Sequence, residues 1–147
     1  MSLAEQVGSL RRAILRVINR RLNGRTSRPF QQLLALKIVA KNAPLNQSEL
    51  ADRLLIDAPA TSRLVERLVD DGLVARCAGE DRRCVKLQVT EQAGPELELI
   101  AAATLSVDED VRRHLSEEEL RELNRLLDKA LAALSGAEAE RPLSGVG

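Results

Sequence analysis

Leu3, Val7, Leu10, Ile14 and Val17 recur at spacings of four, three, four and three. Such a rhythm predicts a helix over residues 3–22 with one narrow apolar seam. Asn23-Gly24 is expected to end it. Thr26 or Ser27 can cap a second helix, with Pro29 in its first turn. That helix carries Phe30, Leu33, Leu34, Leu36, Ile38 and Val39. It is apolar nearly all round and is expected to be buried. Asn42-Ala43-Pro44 breaks it.

Two short amphipathic helices follow. Asn46 caps the first, with Glu49 three residues on and Leu50, Ala51, Leu54 and Leu55 as its apolar positions. Asp57 caps the second, with Pro59 in its first turn. There Leu64, Val65, Leu68 and Val69 are expected to face inward, and Thr61, Ser62, Arg63 and Arg67 outward. Asp70-Asp71-Gly72 stops it. Leu73–Cys77 and Cys84–Val89 alternate as paired strands around a charged tip, Ala78–Arg83. Thr90 is expected to cap a long helix to about Arg113, bent near Pro95. Ser116 and Glu119 form a capping box for a last helix with Leu120, Leu123, Leu127, Ala130 or Leu131, and Leu134 at spacings of three and four. From Gly136 the chain is small and polar, and disorder is expected.

Helix, helix, hairpin and helix start over residues 44–90 is the order of a winged helix-turn-helix lobe. The fold class is therefore mostly α with a small β-hairpin wing. N- and C-terminal helices over residues 3–23 and 91–135 flank that lobe within a single domain, 1–135, and residues 136–147 form a tail. The leucine-rich seams of the first and last helices need a partner. The simplest is the same seam on a second copy, giving a two-fold dimer; a monomeric bundle is the alternative.

Charge sharpens this picture. The chain has 22 basic and 22 acidic residues, a net charge of zero. Residues 10–41 nevertheless hold nine basic residues and no acid, whereas 91–140 hold thirteen acids against five bases. A basic N-terminal half can lie over phosphates while an acidic half faces away, although charged helix faces are also ordinary solvent faces. Phe30 is the one aromatic residue, which disfavours base-stacking recognition of single strands. No apolar run approaches transmembrane length, and the charged N-terminus is not a signal peptide, so a cytoplasmic location is expected. Two cysteines and one histidine, His114, are too few for a zinc site or a disulfide scaffold. No nucleophile–base pair, phosphate loop or paired-carboxylate motif is visible, so neither an enzyme nor a cofactor is expected.

The outward face of residues 58–71 suits a DNA groove. Arg63 can donate two hydrogen bonds to guanine, Thr61 and Ser62 can reach bases or phosphates, and Arg67 one turn on can reach the backbone. Arginines at a narrow hairpin tip, Arg82 and Arg83, suit a minor groove, with Asp81 bracing one guanidinium. A charged turn that keeps an edge hairpin soluble is the plain alternative. Across the hairpin tip, Cys77 and Cys84 would face each other, within disulfide range. They could then serve a redox role, or be no more than two small strand residues.

The order Leu50-Ala51-x-x-Leu54, Ala60-Thr61-Ser62-Arg63-Leu64-Val65, Leu68-x-x-x-Gly72-Leu73-Val74-x-Arg76, Asp81-Arg82-Arg83, then Val85-x-Leu87-x-Val89-Thr90-Glu91 resembles the MarR family of bacterial transcription regulators. Thr90-Glu91-Gln92-Ala93-Gly94-Pro95 looks closest to the SlyA branch. The resemblance spans about residues 10 to 135. It implies a triangular homodimer on a pseudo-palindromic double-stranded operator, with recognition helices in successive major grooves and wings in flanking minor grooves. It also implies repression relieved by a small anionic or aromatic ligand, or by oxidation. The family's effector pocket lies between the dimer helices and the DNA-binding lobe. Arg16, Arg20, Phe30, Leu33 and Lys37 are the matching candidates here. The chain departs from the family in its wing, where Cys77-Ala78-Gly79-Glu80 is about one residue short, and in its scarcity of aromatics. Peroxide-sensing members carry their reactive cysteine near the N-terminus, where this chain has none. The alternative function is a winged-helix dimer that binds a protein and no specific DNA. The slope of affinity against salt separates the two.

Overall fold

A computed structural model describes residues 1–79 and 85–137. Its elements are α1 (Leu3–Leu22), α2 (Phe30–Asn42), α3 (Gln47–Leu54), α4 (Ala58–Asp70), β1 (Val74–Ala78), β2 (Val85–Val89), a 3-10 turn at Glu91–Ala93, α5 (Gly94–Arg112) and α6 (Glu117–Ala137). The chain divides into two compact units, one over Met1–Val107 and one from Asp108 onward. The tail beyond residue 137 and the hairpin tip, residues 80–84, lie outside the described residues.

Local chemistry explains most helix ends. Asn46 Oδ1 accepts from Glu49 N at 2.8 Å and Asp57 Oδ1 from Ala60 N at 2.7 Å, which starts α3 and α4. Ser116 and Glu119 exchange bonds of 3.0 and 3.1 Å as a capping box. Two expected caps are corrected. Pro29, and neither Thr26 nor Ser27, stands at the N-cap of α2 and makes no side-chain cap. The Thr26 hydroxyl instead accepts from Arg28 N at 3.1 Å, holding the approach to the helix. Thr90 likewise does not cap a long helix directly: its hydroxyl donates to the Gly72 carbonyl, and a 3-10 turn precedes α5. Pro95 therefore falls in the first turn of α5, where a missing N–H costs nothing.

The first unit has two apolar clusters. One joins α2, α3, α4 and the hairpin through Leu36, Val39, Leu45, Leu50, Val65, Leu68 and Leu87, all almost fully buried. The other joins α1, α2 and α5 through Ile18, Leu22, Leu33, Ile100 and Ala103. Helix α2 contributes to both clusters, so its all-round apolar surface is used on two sides.

Leu55 closes α3 in the left-handed region, at φ 56° and ψ 42°, with its side chain 86% exposed. A Cβ there costs about 1–2 kcal/mol, and the exposed side chain recovers little of it. Leu55→Gly is therefore expected to stabilise the protein by about 0.5–1 kcal/mol after glycine's greater unfolded-state entropy is subtracted. Urea melts would show this as a higher midpoint at unchanged slope; a lower midpoint would mean that Leu55 makes contacts in solution.

Candidate nucleic-acid interface

Helix α4 is anchored from one side and open on the other. Thr61, Val65 and Leu68, at spacings of four and three, are buried. Pro59, Arg63, Glu66, Arg67 and Asp70 are exposed. Ser62 is half-buried between the two faces. The expected outward position of Thr61 is corrected: Thr61 is fully buried and its hydroxyl donates to the Asp57 carbonyl at 2.8 Å. Threonine presents a methyl group to the core while its hydroxyl satisfies a backbone acceptor one turn back. Arg63 has no hydrogen-bond or ion-pair partner among the described residues, so its guanidinium is open to a ligand.

The hairpin register is set at its base. Leu87 N donates to the Leu45 carbonyl at 2.8 Å, and Thr90 N to that of Leu73 at 3.0 Å. Val74 then pairs with Val89, Arg76 with Leu87, Cys77 with Lys86 and Ala78 with Val85. Cys77 therefore faces Lys86, and the expected facing pair of Cys77 and Cys84 is corrected. The Cys77 thiol donates to Gln88 Oε1 at 3.5 Å. Cys84 and the tip residues Asp81, Arg82 and Arg83 lie outside the described residues. Gly72, which leads into β1, has φ 77°, and a Cβ there would collide with the Gln92 side chain. Glycine is favoured at that turn by its positive φ, since the flexible end of the Gln92 side chain can move aside.

The effector candidates separate. An open cleft of about 440 Å³ is lined by Arg20, Arg28, Phe30, Asn19 and Thr26, among others. Arg20 and Phe30 thus share one cleft. Leu33 does not line it, being fully buried in the cluster of α1, α2 and α5. Lys37 donates to Thr104 Oγ1 at 3.3 Å, and Arg16 Nε to the Arg12 carbonyl at 3.4 Å.

One polar cluster was not anticipated. Arg28 Nη1 lies 2.7 Å from Asp71 Oδ2 and donates to Gln32 Oε1 at 3.0 Å. Arg28 Nε lies 3.9 Å from Glu96 Oε1, and Arg67 Nε lies 3.4 Å from Asp71 Oδ2. The Arg28 hydrogen bond is the main cause that holds the Asp71 carboxyl below its ordinary value of 3.8; burial opposes this and the charge of Arg67 assists. A depressed carboxylate contributes stability above its unfolded-state value and loses it as pH falls through the folded value. The bridge is therefore complete at neutral pH and fails only in acid below the ordinary carboxylate range. Sequence reasoning had no route to the cluster, because Arg28, Asp71 and Glu96 are far apart in the chain and share no periodicity.

Among the described residues no three acidic, histidine or cysteine side chains form a metal-binding group, and no helix is long and apolar enough to cross a membrane.

Comparison with known proteins agrees with this architecture. Residues 26–83 match the family model described as MarR family. The transcriptional repressor MdtR of Bacillus subtilis is 26% identical over 79% of this chain and 76% of its own. The crystal structure of Escherichia coli MarR superposes with a TM-score of 0.73 at 23% identity, covering 89% of this chain and 98% of that one. SlyA superposes at 0.75 and 20% identity, over 93% of this chain and 96% of its own. SlyA is thus one of several comparable neighbours, and the likeness does not single out its branch. The matched segment spans α2, α3, α4 and β1 and is a MarR-family segment, and the winged helix-turn-helix architecture around it is that of the MarR and SlyA structures.

Proposed function

We propose that the protein is a homodimeric, sequence-specific repressor that binds a pseudo-palindromic double-stranded operator and responds to a small anionic or aromatic ligand. The observation that carries this reading is the exposed, unpartnered Arg63 in the N-terminal half of a helix fixed from behind by Thr61, Val65 and Leu68. In this arrangement α4 enters the major groove, Arg63 reads a guanine, Ser62 supports it, and Arg67 holds a phosphate. Arg82 and Arg83, braced by Asp81, are proposed for the minor groove. Thr61 is omitted because it is buried.

A second copy of the chain covers the exposed seams of Leu3, Val7 and Leu10 in α1 and of Leu123, Leu131 and Leu134 in α6. The repressor assignment draws on the named function of MdtR. The ligand site is the cleft with Arg20 and Phe30, whose guanidinium and ring suit an aromatic carboxylate. A thiol switch through facing cysteines is not proposed, because Cys77 faces Lys86.

The exposed acids Glu66 and Asp70 on the same helix favour a second reading, in which the lobe binds a basic protein partner. Titration of labelled genomic fragments, including the gene's own upstream region, separates the two. The repressor reading expects one short inverted repeat to be preferred, with affinity falling by about 10³-fold or more between 50 and 200 mM salt if six or more phosphates are neutralised. Absence of fragment preference together with a flat salt response would favour the protein-binding reading.

A further inference from the structure

We propose that Arg28 is a positioning residue for DNA binding: it takes up the charge of Asp71 and so keeps Arg67 available to a DNA phosphate. The inference rests on the DNA-binding reading and extends it to a residue outside the recognition helix.

Asp71 follows α4 directly, and one of its carboxylate oxygens serves two arginines. Oδ2 lies 2.7 Å from Arg28 Nη1 and 3.4 Å from Arg67 Nε. The nearer partner is the more enclosed one, since the Arg28 side chain is 22% exposed and that of Arg67 68%. Arg28 is held in place before it meets Asp71. Gln32 accepts from the same Nη1 at 3.0 Å, and Glu96 stands 3.9 Å from its Nε. The Arg28 side chain is thus enclosed, although its Nε makes no hydrogen bond. Arg67 touches Asp71 through Nε alone. Its two Nη groups have no partner among the described residues.

Removing Arg28 changes this balance. Asp71 would then have one partner, four residues back on the same helix. A carboxylate and an arginine at that spacing attract each other, and such pairs are frequently bidentate. Arg67 would be neutralised, and a phosphate approaching it would also meet an uncompensated carboxylate.

Arg28→Met keeps the aliphatic stem and removes the charge. Its operator affinity is expected to fall severalfold, with a salt slope lower by about 1, the loss of one phosphate contact. Arg28→Met with Asp71→Asn removes the competing carboxylate as well and should return both quantities toward wild type, whatever the double variant does to thermal stability. A role confined to holding the fold predicts the opposite, because a second lost partner cannot repair a bridge. In an Arg67→Ala background, Arg28→Met should leave the slope unchanged. An unaltered slope in Arg28→Met alone, or no recovery in the double variant, would overturn the inference. Wild-type protein whose binding to DNA shows no salt dependence would instead overturn the DNA-binding reading beneath it.

Discussion

Replacing Leu68 by alanine is expected to lower the free energy of unfolding by about 2–5 kcal/mol, the range for a buried leucine truncated where neighbours cannot collapse. Leu68 is fully buried on the inner face of α4, in the cluster shared with α2, α3 and the hairpin. Its removal opens a cavity at the point where the recognition helix is braced. Domains of this size are stable by about 5–15 kcal/mol, so the loss is a large fraction of the whole. Urea melts followed by circular dichroism measure it directly. A loss under about 1 kcal/mol would mean that α4 is not seated as described.

The second large effect concerns assembly. Leu131 and Leu134 in α6 are 62% and 64% exposed in the single chain. Leu131→Glu with Leu134→Glu should therefore leave the secondary structure of the chain intact. If a second copy covers this seam, the two carboxylates would have to be buried opposite apolar side chains, and the dimer should dissociate. Two half-sites bound by one dimer gain about 10²–10⁴-fold over separate modules, and that factor should be lost from operator affinity. Sedimentation velocity and operator titration on the same preparation test both parts. A variant that remains dimeric would place the interface elsewhere.

Much of the fold was readable from local chemistry. Asn46, Asp57 and the Ser116–Glu119 box act through neighbours three residues away, so their helix starts follow from sequence. The seams of α1 and α6 were equally visible, because an exposed apolar stripe and a buried one have the same periodicity. What escaped depended on distant partners. Thr61 lies one turn before Val65 on the buried face, and its polarity points the wrong way because its hydroxyl is satisfied by the Asp57 carbonyl. Counting from the hairpin tip mispairs Cys77, because the bonds from Leu87 to Leu45 and from Thr90 to Leu73 set the register from the base. The Thr90 hydroxyl suits a cap in sequence, yet it donates to the Gly72 carbonyl. The bridge between Arg28 and Asp71 joins residues with no local relation, and only the fold brings the segment before α2 to the end of α4.

The candidate site divides along the same line. Arg63 and Arg67 could be placed on an outward face from helical spacing alone. That Arg28 takes up the charge of Asp71 beside Arg67, and which candidate effector residues share a cleft, depended on tertiary structure. Arg20 and Phe30 line one cleft, while Leu33 is sealed in the core and Lys37 is engaged by Thr104.

The central claim is that α4 reads DNA sequence through Arg63. The most direct test compares wild-type and Arg63→Ala protein on a panel of operators, each altered at one base pair. The account predicts that Arg63→Ala costs about 1–3 kcal/mol on the native operator and ceases to discriminate at one G·C pair in each half-site, while discrimination elsewhere is kept. A variant that binds more weakly yet keeps the wild-type preference at every position would contradict it.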